Sequence, residues 1–202
     1  QYPLVTKEIA ARGHEIGFHG YFHEEFSTTT YEQEKATMER CEKLIRELTG
    51  QQMVSHRAPG GVIHDYSLRL FTERGYIASS NWRNSDGPFI HELDGVKIPL
   101  VEVPKDSIFD DTAYDFYTDS APERYELKSP QEMLEIWKEE FDTLADEGRM
   151  INFVLHPQFI GRVSRVNMLK ELIGYMLSRG AWIDTNQAVA RWVLKENGMP
   201  AK

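Results

Sequence analysis

The sequence is short of cysteine: Cys41 stands alone, so no internal disulfide can staple the fold. No apolar run approaches the ~20 residues that a membrane-spanning helix requires. No signal peptide is visible, and the cytoplasm is the expected compartment. Basic residues are outnumbered: 23 Lys and Arg against 32 Asp and Glu give a net charge of −9. Phosphate binding needs a basic face, so nucleic acid is not the expected partner. Low-complexity segments and domain linkers are missing too, so residues 1–202 read as one domain. What is left is an ordinary globular composition, 41% hydrophobic and 27% charged. A chain of that length buries a sizeable core unaided.

One pattern recurs along it. Helix-like stretches end in Arg-Gly, at Arg12-Gly13, Arg74-Gly75 and Arg179-Gly180, and a short apolar run follows each. Glycine closes a helix in the left-handed conformation, and arginine suits the negative end of the helix dipole. Thr30-Tyr31-Glu32-Gln33 and Ser129-Pro130-Gln131-Glu132 are capping boxes that open two of the helices. Met38, Cys41, Leu44, Ile45 and Leu48 follow the first at helical spacing; Met133, Ile136, Trp137, Phe141 and Leu144 follow the second. Further helices are expected over about 164–179 and 186–196. Strands are expected at His14–Phe18, Met53–His56, Ile77–Ser80, Ile98–Val103, Met150–Leu155 and Trp182–Asp184.

Alternation of this kind predicts an α/β fold with a parallel sheet, a closed or nearly closed β/α barrel, with an open doubly wound sheet as the alternative. Residues Lys105–Lys128 break the rhythm with Asp106, Asp110, Asp111, Tyr114, Asp115, Phe116, Tyr117 and Asp119, and read as a long loop. Gln1–Arg12 reads as the second half of a helix with no strand before it. A barrel built from these pieces is N-terminally incomplete by roughly two β/α units, at ~30 residues each.

In β/α barrels the chemistry sits at the C-terminal strand ends. Four segments occupy those ends here: His19-Gly20-Tyr21-Phe22-His23, Arg57-Ala58-Pro59, Ser80-Asn81-Trp82 and His156-Pro157. His19 and His23 are four residues apart; on a helical turn both rings face one side and can share a metal. His156 leaves a dry strand and suits an acid or base. Arg57 can orient a carboxylate or take an anionic group.

These segments, in this order, resemble the NodB-homology polysaccharide deacetylases (carbohydrate esterase family 4). Gly13–His23 looks like the family's second motif, Arg57-Ala58-Pro59 its third and Leu155-His156-Pro157 its fifth. The resemblance implies a distorted β/α barrel and a divalent metal, zinc as a rule, held by two histidines and one aspartate. It makes His19 and His23 metal ligands, His156 the general acid, and Arg57 the residue that orients the catalytic base. The first motif, which carries both family aspartates, has no counterpart in residues 1–13 and is expected upstream of Gln1.

Two motifs depart from the family pattern. Gly60 follows Pro59 where an aromatic is usual, and the stretch to Asp86 holds Asn81-Trp82 where Asp-Trp is usual. With Glu102-Val103-Pro104 and Asp110-Asp111, these departures resemble the subgroup of Helicobacter-type peptidoglycan deacetylase homologues, which borders on cyclic imide hydrolases and allantoinase-like proteins.

The expected activity is therefore metal-dependent hydrolysis of a C–N amide bond, as in N-deacetylation of an N-acetylated sugar. Pro59, Trp82, Asp86, Asp110 and Asp111 are the expected substrate contacts. The expected partners are a carbohydrate or small amide substrate and other copies of the chain in a homo-oligomer, with no membrane. A cyclic imide or ureide is the alternative substrate, and a non-catalytic binding module is the alternative from another class.

Overall fold

The computed structural model describes residues 2–115 and 127–199. In chain order the regular elements are helix α1 (Pro3–Ala11), helix α2 (Tyr31–Thr49), strand β1 (Ser55–His56), helix α3 (Ser67–Glu73), strands β2 (Ala78–Ser79), β3 (Phe89–Leu93) and β4 (Val96–Glu102), then helices α4 (Thr112–Asp115), α5 (Pro130–Asp146), α6 (Pro157–Ile160), α7 (Val163–Ser178) and α8 (Asn186–Glu196). They form two compact units, one of residues 1–104 with 184–202 and one of residues 105–183. The α/β class is the expected one.

The first unit is built on a four-stranded sheet of order β1-β2-β4-β3. β1 pairs with β2 and β2 with β4 in parallel, but β3 runs antiparallel to β4. The sheet is mixed, a correction to the wholly parallel expectation. The cause is a hairpin: Asp94 and Gly95 both adopt positive φ, 52° and 76°. That is the twist a two-residue type I′ connection demands, and Asp-Gly is its usual sequence.

His14–Phe18 is reduced to one bridge, Phe18 to His56. The Phe18 N–H donates to the Ser55 carbonyl at 2.8 Å, and the Arg57 N–H to the Phe18 carbonyl at 2.9 Å. Both capping boxes form as expected, on Thr30–Gln33 and Ser129–Glu132. On α2, Met38 and Cys41 enter the core while Leu44 stays 41% exposed, so only the first half of the expected stripe is buried. The core packs Phe18, Phe26, Met38, Leu70, Phe71, Tyr76 and Leu100 against the sheet.

A polar lattice lies buried at the strand ends of this unit. The Glu102 carboxylate accepts the N–H groups of Asn81 (2.5 Å) and Trp82 (2.8 Å) and faces His91 Nε2 at 2.9 Å. The Asn81 amide donates to Ser79 Oγ (2.8 Å) and meets His56 Nδ1 (3.2 Å), while its oxygen accepts the Ala58 N–H (2.7 Å). His56 packs among Phe18, Phe26 and Phe71. Burial, helped by the charge of His19, pushes its pKa down to about 3.

The native state therefore resists a proton that the unfolded chain accepts near pH 6.5. His56 imposes no penalty above that pH, and stability is lost as the pH falls below it. Between pH 7 and pH 5 the loss from this one group should be about 2 kcal/mol. Urea midpoints at the two pH values check this: the His56→Leu protein should lose less stability over that interval by about this amount, and equal losses in both proteins would exclude His56 as the source.

The second unit packs α5 against α7 around Trp137, Met133, Phe141, Met168 and Leu172. Met150–Leu155, expected as a strand, pairs only at Val154, through one parallel bridge to Asp110. Trp182–Asp184, likewise expected, is not a strand. Lys105–Lys128, expected as an unbroken loop, contains a 3-10 turn (Ser107–Phe109) and α4. Phe116, Tyr117 and Asp119 of that expectation lie outside the described residues. Arg165 of α7 is ion-paired with Asp115 and donates to the Lys128 carbonyl at 2.6 Å.

Candidate active site

In the first unit Arg57 and Pro59 follow β1 and Trp82 follows β2, while His19 and His23 follow the Phe18 bridge and Asp86 lies in the connection between β2 and β3. Sequence spacing suggested that a helical turn aligns His19 with His23. The segment from 19 to 25 is not helical; a bend with His23 at φ 62° brings the rings together edge to face, 5.0 Å between centroids. His19 Nδ1 lies 2.6 Å from the Arg57 carbonyl oxygen, which can only accept, so Nδ1 carries the proton. That contact engages Nδ1 only, so Nε2 is the nitrogen that would serve as a ligand, on an exposed side chain. A backbone carbonyl behind the far ring nitrogen is the usual way a metal-binding histidine is oriented.

Arg57 is fixed in turn: its guanidinium donates to the Ser80 carbonyl at 3.2 Å and to Ser80 Oγ at 2.6 Å. Pro59 is buried at the start of a 3-10 turn, and Asp86 is exposed. Trp82 is half-buried, its ring 6.0 Å from that of Phe89 and edge-on to His91 at 4.8 Å. Its position is set by Glu102 through the backbone contact described above. Glu102, His91 and Asn81 were not among the expected site residues. The available signal was a glutamate ending the apolar run Leu100-Val101, since a carboxylate entering a core needs designated donors.

In the second unit the structure brings together Asp110, Asp111 and His156. Asp111 is fully buried. One of its oxygens accepts the His156 backbone N–H at 2.8 Å, and the other lies 2.6 Å from His156 Nδ1. Its own N–H donates to the Val154 carbonyl at 3.0 Å. Asp111, expected as a substrate contact, thus lies directly against the imidazole of His156. Asp110 accepts from the N–H and hydroxyl of Thr112, at 3.0 and 2.5 Å.

Two groups could hold a cation, and they fit it differently. At Asp111 both oxygens and the facing His156 Nδ1 are already committed to each other, so an ion would have to break a short charge-assisted hydrogen bond. His19 and His23 offer imidazole nitrogens from two rings set 5.0 Å apart, and imidazole suits zinc and neighbouring transition metals.

The family model for polysaccharide deacetylase matches residues 1–78, the stretch that holds His19, His23 and Arg57. A peptidoglycan deacetylase of Helicobacter pylori is 24% identical over 217 aligned positions, covering 95% of this chain and 74% of the relative. A crystal structure of a polysaccharide deacetylase from Mycobacterium smegmatis superposes with a TM-score of 0.88 at 25% identity, over 99% of this chain and 69% of the other. The crystal structure of Puue allantoinase superposes at 0.81 with 23% identity, over 98% of this chain and 65% of the other, a likeness of fold. Members of the matched family depend in general on a divalent metal. In fold, and over residues 1–78 in sequence, the chain is similar to the polysaccharide deacetylases of NodB type, which are hydrolytic enzymes.

Proposed function

We propose that this chain takes part in the metal-dependent removal of an N-acetyl group from a peptidoglycan-like sugar. The observation that carries the reading is the clamp of Asp111 on His156. An amide nitrogen leaves poorly until it is protonated, so the reaction needs an oriented proton donor. With Nδ1–H directed at Asp111, His156 has only Nε2 from which to deliver a proton. The buried carboxylate fixes the ring and stabilises its cationic form, as in other acid–base histidines backed by carboxylates. His19 and His23 are the residues proposed to hold the metal, with zinc the ion their ligand type favours. When bound, such a metal lowers the pKa of a water molecule and polarises the substrate carbonyl. Arg57, held by Ser80, presents a fixed cation that can orient a carboxylate. Trp82, backed by Phe89 and His91, presents an aromatic surface for the substrate, with Pro59, Asp86 and Asp110 as further proposed contacts.

The Helicobacter pylori relative is a peptidoglycan deacetylase by name, and this places muropeptides first among substrates to test. The measurement is acetate release from muropeptides and chitooligosaccharides beside ring opening of a cyclic imide and a cyclic ureide, all with zinc supplied. Acetate with a matching free amine is the expected product. Ring opening alone would move the substrate to the small cyclic amides, and no turnover on any of them would overturn the hydrolase reading for this chain.

A further inference from the structure

The two histidines proposed as metal ligands sit on a segment whose shape needs an explanation. Residues four apart meet naturally on a helix, yet His19–His23 is a bend. Gly20 has φ 76° and His23 φ 62°. For a histidine the left-handed region is uncommon, and it persists only where the surroundings enforce it.

The enforcing contacts converge on one carboxylate. Glu24 Oε2 accepts the Tyr21 N–H at 2.7 Å, closing the bend from the residue after His23 back to the residue two before it. The same oxygen fills the space beside Gly20: a Cβ there would lie 2.5 Å from it. From α2, the Arg40 guanidinium sits 3.6 Å above the Tyr21 ring, and the Cys41 thiol donates to the Gly20 carbonyl at 3.8 Å. The helix holds the outside of the bend and Glu24 closes its inside. A carboxylate accepting a backbone N–H makes one of the stronger hydrogen bonds of a protein.

We propose that Glu24 is a positioning residue for the His19–His23 pair, its carboxylate holding the bend that sets the two rings edge to face. The consequence for metal binding rests on the reading of these histidines as ligands; the consequence for the rings does not. Without the carboxylate the Tyr21 N–H loses its partner, His23 is released from the left-handed region, and the rings separate.

The test uses the full chain with Glu24→Ala, Glu24→Gln and Gly20→Ala. Glutamine keeps an oxygen acceptor for the Tyr21 N–H. The Gly20→Ala methyl both meets the carboxylate and strains the left-handed backbone of Gly20 itself, so it perturbs the bend by a second route, and the Glu24 variants alone decide the role of the carboxylate. Ring-to-ring nuclear Overhauser contacts between His19 and His23 are read in the metal-free protein. Zinc affinity is read by competition with a chromophoric chelator, and folding by thermal melting.

Glu24→Ala and Gly20→Ala should lose the ring contact and bind zinc roughly 10- to 100-fold more weakly, and Glu24→Gln should keep the contact and stay within about 3-fold of the parent. Melting temperatures should stay within roughly 4 °C of the parent. Retention of the ring contact in Glu24→Ala overturns the proposal. A Glu24→Gln protein as weak in zinc as Glu24→Ala, with the contact intact, overturns it as well, by making Glu24 a ligand. If His19→Ala binds zinc as the parent does, the metal assignment fails by itself, and the ring contact still decides the role of Glu24.

Discussion

Replacing His156 with alanine should lower kcat for amide hydrolysis by roughly 10²-fold or more, while metal content and folding are retained. The side chain is about one-third exposed and belongs to neither core cluster, so its removal leaves no large cavity. The loss should be confined to substrates that need a proton on the leaving group. An aryl ester departs as a stabilised phenolate, so the variant should recover much of its activity there. Asp111→Asn should behave in the same direction for a different reason. The amide can no longer accept on both sides: one arm presents N–H groups either to the His156 backbone N–H or to its ring. The ring then loses its fixed tautomer and the charge that supports its cationic form. If His156→Ala loses amide and aryl-ester hydrolysis equally while folded and metallated, His156 is not the acid. If Asp111→Asn is fully active, the clamp does not position it.

The parts of this architecture that the sequence reveals are those whose causes are local. α2 and α5 announce themselves through capping boxes, because a cap is a contact across three residues. The strands are harder to see. β1 and β2 are two residues long, too short to carry an alternation, and Met150–Leu155 looks like a buried strand although only Val154 finds a ladder partner. β3 is legible in Asp94-Gly95, a hairpin signal between Phe89–Leu93 and Val96–Glu102 that the strand expectations above do not include.

The site divides in the same way. His19, His23, Arg57 and His156 stand out by residue type and place in the chain. The partners that fix them do not. Asp111 reaches His156 across 45 residues, and the Glu102–Asn81 contact spans 21. Composition and periodicity carry no information about such pairings. His19 and His23 do lie together, but through a bend and not through the helical turn that their spacing implies.

The metal assignment yields the second large effect. His19→Ala and His23→Ala should each weaken zinc binding by more than the roughly 10- to 100-fold that loss of a merely supporting partner costs. Each removes a nitrogen donor outright from a pair whose rings are 5.0 Å apart. In the parent, His19 Nδ1 donates to the Arg57 carbonyl, which leaves Nε2 as the nitrogen that would face a metal. Elemental analysis after dialysis against a zinc buffer gives the readout, and thermal melting shows that the variants stay folded. Asp111→Asn is the necessary companion, because Asp110, Asp111 and His156 are a second set of donor atoms within 4.8 Å of one another. The hydrogen bonds that already satisfy Asp111 argue that this set exists to orient His156, so Asp111→Asn should retain its zinc. Full zinc content in both histidine variants, with loss in Asp111→Asn, would transfer the cation to the second set. His156 would then be a ligand in place of an acid, since a ring nitrogen that coordinates a cation has no proton to give.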